Sequence, residues 1–318
     1  MTCSDPFGDR LYAAATALAS TGANAYQEWA SGLSELLLAP STCDDESVSD
    51  RGIHWDSTGA GSPVLLIMGL GLSGGAWWRT VPVLAKSFRV VTFDNRGVGR
   101  SNSATYSFTT EAMAADAVSV LDSAGIEKAH VYGISLGGMV AQQLAVRHPQ
   151  RVRSLVLGAT HSGGPRVVAP EDCATDFFRR RSTLPQEEAA WASVPYNYGP
   201  DCRRRHPARI AEDIEQRVRH PFPAGAYRAQ LCAAQLHNAS RRLRRIEVPT
   251  LIVHGRHDRV IPVANAQLLA DAIPHARVRI LQRSGHMYPT EQPVVDEEIA
   301  AFMAEVGVDV MPWSRSGP

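Results

Sequence analysis

The segment from His130 to Met139 places a serine between glycines at a spacing that can expose a nucleophile. It reads His-Val-Tyr-Gly-Ile-Ser-Leu-Gly-Gly-Met, with Ser135 two residues from Gly133 and from Gly137. An apolar run, this Gly-x-Ser-x-Gly pattern and a helix-forming stretch together predict a sharp turn from strand to helix. The turn would hold the serine hydroxyl exposed at the strand end. Because the pattern also arises by chance, the flanking strand and helix carry the interpretation.

A serine nucleophile needs a general base, and the base needs a carboxylate that orients it. His286 follows the last predicted strand in Arg-Ser-Gly-His-Met, and Asp258 follows the strand before it in His-Gly-Arg-His-Asp. Strand ends of this kind meet at one edge of a parallel sheet, where Ser135 is also expected. We therefore predict a catalytic triad of Ser135, Asp258 and His286.

Three other polar residues at or just after strand ends are predicted to have structural roles. Asp94 ends an earlier strand and is the competitor for the acid position, but we expect it to tie down its own loop. His254 and His257, which precede Asp258 closely, are expected to hold the loop that carries this aspartate.

The oxyanion that forms on a substrate carbonyl needs backbone donors already in place. The amide of Leu136, directly after the serine and at the start of a helix, is one candidate. The amide of Leu70, in the Met-Gly-Leu-Gly loop after an earlier strand, is the other. Trp77 and Trp78 follow that loop, and Tyr288 follows the predicted base by two residues, so these three aromatic residues are candidates for the pocket wall.

Apolar runs that alternate with helical stretches from Gly52 onward predict the elements that carry these residues. The runs cover residues 53–56, 64–68, 89–93, 129–132, 154–157, 250–254 and 277–281, and the helical stretches cover 113–123, 136–147, 263–272 and 294–304. Continuous apolar runs are typical of strands buried on both faces. The alternation therefore predicts an α/β fold, with a mostly parallel sheet and helices on both faces.

The alternation stops between residues 161 and 245, which we predict to form an inserted helical cap. The remaining predicted units are a helical extension over residues 1–50 and the α/β core over 51–160 and 246–318. The cap carries 15 arginines against 9 acidic residues. Attraction of an anionic substrate and a solvated helical surface both explain this excess, and we favour the solvated surface, with Arg179–Arg181 and Arg203–Arg205 in water.

Charge and cysteine content limit the classes of partner and the cellular compartment that we expect. The formal net charge of the 318 residues is zero, which does not indicate a nucleic-acid or anionic-membrane partner. Five scattered cysteines without Cys-x-x-Cys spacing indicate neither a zinc site nor a disulfide framework. No apolar run approaches the roughly 18 residues of a membrane span, and the first residues lack the positive charge of an export signal. We predict a cytoplasmic protein with a small-molecule substrate, no metal and no cofactor; its oligomeric state stays open.

The motifs together resemble those of the α/β-hydrolase superfamily, over about residues 52–306. The matching segments are 68–71, 94–101, 133–138, the loop around Asp258, and 285–286. The resemblance is to the branch of capped serine esterases and enol-lactonases. It departs at Met68, where many members carry a histidine that supports the oxyanion loop.

That resemblance implies a cofactor-free serine hydrolase that cleaves a carboxylic ester or lactone through an acyl-enzyme. A carbon–carbon bond hydrolase or an acyltransferase on the same triad, and a ligand-sensing protein of the same fold, are the alternatives that the residues leave open.

Overall fold

A seven-stranded sheet organises the structure, a computed structural model that describes residues 47–101, 108–220 and 222–307. The strands are β1 (Trp55–Thr58), β2 (Ser62–Ile67), β3 (Phe88–Phe93), β4 (Ala129–Ile134), β5 (Val152–Gly158), β6 (Thr250–Gly255) and β7 (Arg277–Leu281). Their order is β1-β3-β2-β4-β5-β6-β7, with β1 antiparallel to β3 and the other pairs parallel. The prediction of an α/β fold with a mostly parallel sheet is confirmed.

Helices flank the sheet and fill the connection between β5 and β6. Those outside that connection are α1 (Thr80–Leu84), α2 (Thr110–Ser123), α3 (Leu136–Arg147), α10 (Ala264–Ala272), α11 (Tyr288–Glu291) and α12 (Val294–Gly307). Those within it are α4 (Asp172–Arg180), α5 (Gln186–Ala192), α6 (Val194–Asn197), α7 (Pro200–Arg205), α8 (Pro207–Val218) and α9 (Ala224–Leu236). None of the described helices is both long enough and apolar enough to cross a bilayer.

The apolar runs are strands because their side chains alternate between two buried faces. Leu65 and Val131 belong to one core cluster, which also contains residues of α2, α3 and α10. Val64, Leu66 and Tyr132 belong to a second cluster, together with residues of α1 and α12. Burial on both faces explains why these strands read as continuous apolar runs.

The predicted cap consists of short helices with a small core of their own. Val194, Tyr198, Ile210 and Ile214 form an apolar cluster there, and Met287 from the loop after β7 completes it. The described residues from Ser47 onward fall into one compact unit by their contacts, so this segment does not separate from the sheet. The bounds 161–245 stay a prediction. The predicted extension over residues 1–50 lies outside the described residues as far as residue 46.

A buried carboxyl group links α12 to α1. The hydroxyl of Thr80 donates a 2.8 Å hydrogen bond to Oδ2 of Asp296, and Oδ1 is buried without a partner among the described residues. Burial raises the pKa of Asp296 to about 7, against the opposing effect of the Thr80 hydrogen bond. The group is therefore neutral in the folded protein at mildly acidic pH.

Because the folded state keeps this proton longer than the unfolded state, the free energy of unfolding should fall with rising pH. The window runs from the ordinary carboxyl pKa of 3.8 to about 7. Asp296→Asn has no proton to lose, so its urea midpoint should change less between about pH 4.5 and about pH 7.5. Glu297→Gln, at the exposed neighbouring position, is the control. Equal pH dependence in all three proteins would contradict the assignment.

Candidate active site

Ser135 joins β4 to α3 in a conformation that few residues other than glycine adopt. Its φ is 57° and its ψ is −122°. Two contacts hold this backbone, because the Ser135 amide donates to the Gly158 carbonyl at 2.9 Å and the Thr160 hydroxyl donates to the Ser135 carbonyl at 2.8 Å. A conformation of this kind costs about 1 to 3 kcal/mol and persists where surrounding structure imposes it, which is common at functional sites.

The glycines of the turn are required by close backbone packing. A β-carbon on Gly133 would overlap the carbonyl oxygen of Gly137, and one on Gly137 would overlap the carbonyl oxygen of Ile67. A β-carbon on Gly138 would lie 2.7 Å from the side chain of Thr160. The Gly-x-Ser-x-Gly-Gly pattern thus reflects the contact between the start of α3 and its neighbours.

The loop after β2 passes directly beside the serine. A β-carbon placed on Gly69 would lie 3.2 Å from Cβ and 3.8 Å from Oγ of Ser135. The side-chain amide of Asn95 donates to the carbonyl oxygen of Met68 at 2.9 Å, which fixes this loop from the end of β3. The sequence motif contained Asn95, but its supporting role was not predicted.

Each of the two predicted oxyanion donors directly follows one residue of the close contact between Gly69 and Ser135. Leu136 is the first residue of α3, so its amide has no acceptor within the helix, where the helix dipole also favours negative charge. Leu70 follows Gly69 in the loop. In the described part of the chain, neither amide donates to a protein group. The next amide, that of Gly71, donates to Oε1 of Gln230 at 2.9 Å, so α9 of the predicted cap braces the loop.

Asp258 and His286 meet in the loops that follow β6 and β7, as the strand order predicts. Nδ1 of His286 lies 2.7 Å from Oδ2 of Asp258, and Oδ1 accepts from the amides of Val260 and Ile261, both at 2.8 Å. Burial acts to raise the pKa of Asp258, but His286 and the hydrogen bond from His254 outweigh it and lower the pKa to about 2. The carboxylate is therefore ionised at neutral pH and holds the Nδ1 proton of the imidazole.

His254 contacts both Asp258 and the loop that carries it. It is fully buried, and its Nε2 lies 2.8 Å from the carbonyl oxygen of Ile261 and 3.2 Å from Oδ2 of Asp258. Since a carbonyl only accepts, Nε2 of His254 carries a proton. His254 thus holds the loop of Asp258, as the sequence predicted.

One cavity of about 430 Å³ contains the predicted reacting groups. Its lining includes Ser135, Leu136, Leu70 and His286, and otherwise consists largely of apolar side chains. Asp258 lies behind His286, buried and outside the lining. In the described ranges, no group of three histidine, cysteine or acidic residues is arranged to hold a metal ion.

The three aromatic residues predicted to wall the pocket do not line this cavity. Trp77 is buried against Tyr132, with ring centroids 4.7 Å apart, and the Tyr288 hydroxyl bonds to the Tyr132 hydroxyl at 2.8 Å. The indole of Trp78 donates to Oδ1 of Asp213 at 3.3 Å. Trp77 and Tyr288 belong to the core, and Trp78 is bonded to α8. Closeness in sequence to the site residues was therefore a misleading signal for these three residues.

Polar residues of the cap region enter the cavity instead. Arg181 and Arg217 are buried in its lining, so the prediction that residues 179–181 all lie in water is wrong for Arg181. A signal for Arg217 was available, because it lies at helical spacing from the buried residues Ile210 and Ile214.

Two neutral histidines line another part of the wall. Burial lowers the pKa of His161 to about 4 and that of His237 to about 3, with the neighbouring histidines acting in the same direction. The Gly163 amide donates to Nδ1 of His161 at 3.1 Å, so the ring proton of neutral His161 is on Nε2. Sequence reasoning missed both residues, since neither lies in a recognisable motif.

Comparison with known proteins agrees with this architecture. A family profile described as alpha/beta hydrolase fold matches residues 62–293. RutD of Azorhizobium caulinodans, provisionally named a carbamate hydrolase, is 31% identical over 268 residues, 81% of this chain and 97% of that protein. The 2-hydroxymuconate semialdehyde hydrolase of Pseudomonas sp. strain CF600 is 32% identical over 246 residues, 72% of this chain and 82% of that protein.

Among solved structures, the enol-lactonase from Burkholderia xenovorans LB400 has a TM-score of 0.70 at 26% identity, covering 79% of this chain and 96% of that one. The profile match covers the sheet from β2 onward, the Ser135 turn and the loops of Asp258 and His286. These likenesses and the strand order give one conclusion: the chain belongs to the α/β-hydrolase family and is a hydrolase.

Proposed function

We propose that this hydrolase cleaves a carboxylic ester or a lactone through an acyl-enzyme formed on Ser135. The observation that carries the proposal is the shared cavity, which is lined both by the half-buried, strained serine and by the histidine paired with Asp258. Geometry of this kind serves acyl transfer on several unrelated folds. The resemblance to a structure that is itself an enol-lactonase supports the choice of bond.

In the proposed mechanism, Oγ of Ser135 attacks the substrate carbonyl carbon while Nε2 of His286 takes the hydroxyl proton. The amides of Leu70 and Leu136 donate to the oxygen that becomes negative. The C–O bond to the alcohol then breaks, and His286 returns the proton to the departing oxygen. Water next adds to the acyl-enzyme with His286 as base, which releases the acid and restores Ser135.

Asp258 makes this proton transfer favourable. Its low pKa keeps it negative beside His286, so it stabilises the imidazolium that forms in both steps without taking up the proton. Its two bonds from backbone amides also fix its position. Asp258 therefore orients the base and His286 carries the proton.

Carbon–carbon bond hydrolysis is the second candidate. One relative at 32% identity is named for 2-hydroxymuconate semialdehyde, which is neither an ester nor a lactone. The same triad and cavity could serve that chemistry. We find no comparable support for an acyltransferase or a ligand sensor.

We also infer a cytoplasmic location and a small-molecule substrate. Two cysteines in the described ranges, Cys202 and Cys232, are free thiols, which is common in reducing compartments. The cavity has the size of small-molecule sites in other proteins.

A substrate panel separates the two candidate reactions. We expect turnover of aryl esters and lactones, and a mass shift equal to the acyl group on the peptide that carries Ser135 after rapid acid quenching. The panel also contains vinylogous diketones, the substrates of carbon–carbon cleavage. Consumption of the diketones alone, with esters and lactones untouched, would overturn the ester proposal in favour of the second candidate.

A further inference from the structure

Two buried guanidinium groups share the cavity with the serine and the histidine. Arg181 lies in a short 3-10 helix (Arg181–Thr183) after α4 and is 6% exposed, and Arg217 lies in the last turn of α8 and is 7% exposed. Both side chains belong to the lining that also includes Ser135 and His286. Arginines are rarely buried to this extent unless they are paired.

Neither arginine has an acidic partner in the part of the chain that the structure describes. No described carboxylate lies within 4.0 Å of either guanidinium, and Nε of Arg181 and Nη2 of Arg217 are buried without a hydrogen-bond partner. Asp213, one turn before Arg217 on α8, instead accepts hydrogen bonds from four other side chains: Trp78, Arg79, Tyr198 and Thr290.

The two arginines contact aromatic rings, and Arg181 also has the hydroxyl of Tyr227 as a polar neighbour. The guanidinium carbon of Arg181 lies 5.4 Å from the ring centroid of Tyr227 and 5.6 Å from that of Phe222, and that of Arg217 lies 5.7 Å from the Tyr198 ring. Contacts at such distances recover only a fraction of the cost of removing a cation from water. The protein itself therefore leaves both charges incompletely compensated.

The two charges also act on each other. Burial lowers the pKa of Arg181; the nearby Tyr227 opposes this effect, and the positive charge of Arg217 adds to it. Adjacent like charges in a poorly solvated space repel one another, and an anion between them would remove that repulsion. A guanidinium presents a planar fork of donors that matches the two oxygens of a carboxylate.

We propose that Arg181 and Arg217 form a subsite for a carboxylate of the substrate, so that the enzyme acts on acidic esters or lactones. These are molecules whose acyl or alcohol part carries an ionised carboxyl group at a distance from the scissile bond. The apolar walls, with Leu72, Met139 and Val260, contact the carbon chain between the two ends. This inference rests on the proposed function for the bond that is cleaved.

Matched substrates test the subsite. We compare mono-p-nitrophenyl esters of succinic, glutaric and adipic acid with neutral esters in which an isopropyl end replaces the carboxylate, after subtracting spontaneous hydrolysis. The native enzyme should show a higher kcat/KM for the acidic ester in at least one pair. The measured quantity is the acidic-to-neutral ratio, which is kcat/KM for the acidic ester divided by kcat/KM for its neutral counterpart. Arg181→Gln and Arg217→Gln should each lower this ratio by at least about 30-fold, because each removes a buried partner of the carboxylate.

Control variants make the same change of charge outside the cavity. Arg180→Gln, beside Arg181, and Arg219→Gln, beside Arg217, are at exposed positions and should leave the ratio within about twofold of native. Arg217→Lys keeps the charge without the fork and should give an intermediate ratio. A ratio that falls equally in the Arg219→Gln control would show a general charge effect and overturn the subsite.

The urea midpoint distinguishes a binding role of Arg181 and Arg217 from a structural one. Removal of an unpaired buried cation should leave the urea midpoint unchanged or raise it. A lowered midpoint in Arg181→Gln and Arg217→Gln, with the acidic-to-neutral ratio unchanged, would assign these residues to packing alone and overturn the proposal.

Binding of glutarate, measured by the change in Tm, tests the subsite independently of ester hydrolysis. Glutarate should raise the Tm of the native protein and have little effect on Arg217→Gln. If that pattern appears but no ester is hydrolysed, the proposed function fails and the subsite stands. If esters are hydrolysed with equal ratios in every variant, the subsite fails and the function stands. An equal, Arg217-dependent rise with inorganic phosphate would overturn the restriction to carboxylates.

Discussion

Ser135→Ala should lower kcat for ester hydrolysis by a factor of about 10⁴ or more while the fold stays intact. The loss follows from removal of the only oxygen that could form the acyl-enzyme in the proposed mechanism. Alanine has a β-carbon in the same place, so the strained backbone at φ 57° and its two supporting hydrogen bonds should persist. The measurements are initial rates and the urea midpoint on the same preparation.

A phosphonate that labels serine nucleophiles provides the control for this variant. The native protein should gain one label and Ser135→Ala none, whereas Ser57→Ala, changed at an exposed serine in β1, should behave as native. Retained esterase activity in a folded Ser135→Ala protein would remove this serine from the mechanism. Any residual rate would then come from another nucleophile or from a water attack that His286 assists.

Asp258→Asn should cost nearly as much, approaching about 10⁴-fold in kcat, or about 5.5 kcal/mol of transition-state stabilisation. The amide would occupy the position of the carboxylate, 2.7 Å from Nδ1 of His286, but its nitrogen donates where the carboxylate accepted. Donation to Nδ1 favours the tautomer with its proton on Nε2, which cannot take the proton of Ser135. The loss of negative charge also leaves the imidazolium unsupported.

Asp94→Asn is the matched comparison, since Asp94 is the other buried aspartate at a strand end that the sequence offered as the acid. Its Oδ1 accepts from the Gly74 amide at 2.8 Å and its Oδ2 accepts from the Arg100 amide at 2.9 Å. Asp94→Asn should therefore lower the free energy of unfolding by about 1 to 3 kcal/mol, with a much smaller change in kcat.

Measurement of kcat and the urea midpoint on both variants separates the two roles. If Asp94→Asn lost activity at an unchanged midpoint and Asp258→Asn did the reverse, the acid would belong to the end of β3. The contacts of the two carboxylates argue against that result, because only Asp258 contacts His286.

The sheet and the turn that carries Ser135 were predictable from the sequence, because their residue patterns follow from burial and from close packing. A strand buried on two faces must be apolar throughout, so the runs at β2, β4, β5 and β6 were readable without knowledge of their partners. The glycines around the serine are required by close contacts: Gly133 packs against Gly137 within the turn, Gly137 against Ile67 of β2, and Gly138 against Thr160. The Asp258–His286 pair was also predictable, because parallel strands deliver their following loops to one edge.

Which side chains reach the cavity depends on packing between segments that are distant in sequence. Trp77 and Tyr288 lie close in sequence to predicted site residues, yet packing around Tyr132 takes them into the core. Arg181 lies in a run of three arginines whose other two members are exposed, and its burial depends on how α4, α8 and α9 pack. The direction of a side chain on a short helix is set by contacts with distant segments, so the run of arginines at 179–181 could not reveal which of them is buried. For Arg217, by contrast, the helical spacing from Ile210 and Ile214 was a signal of burial.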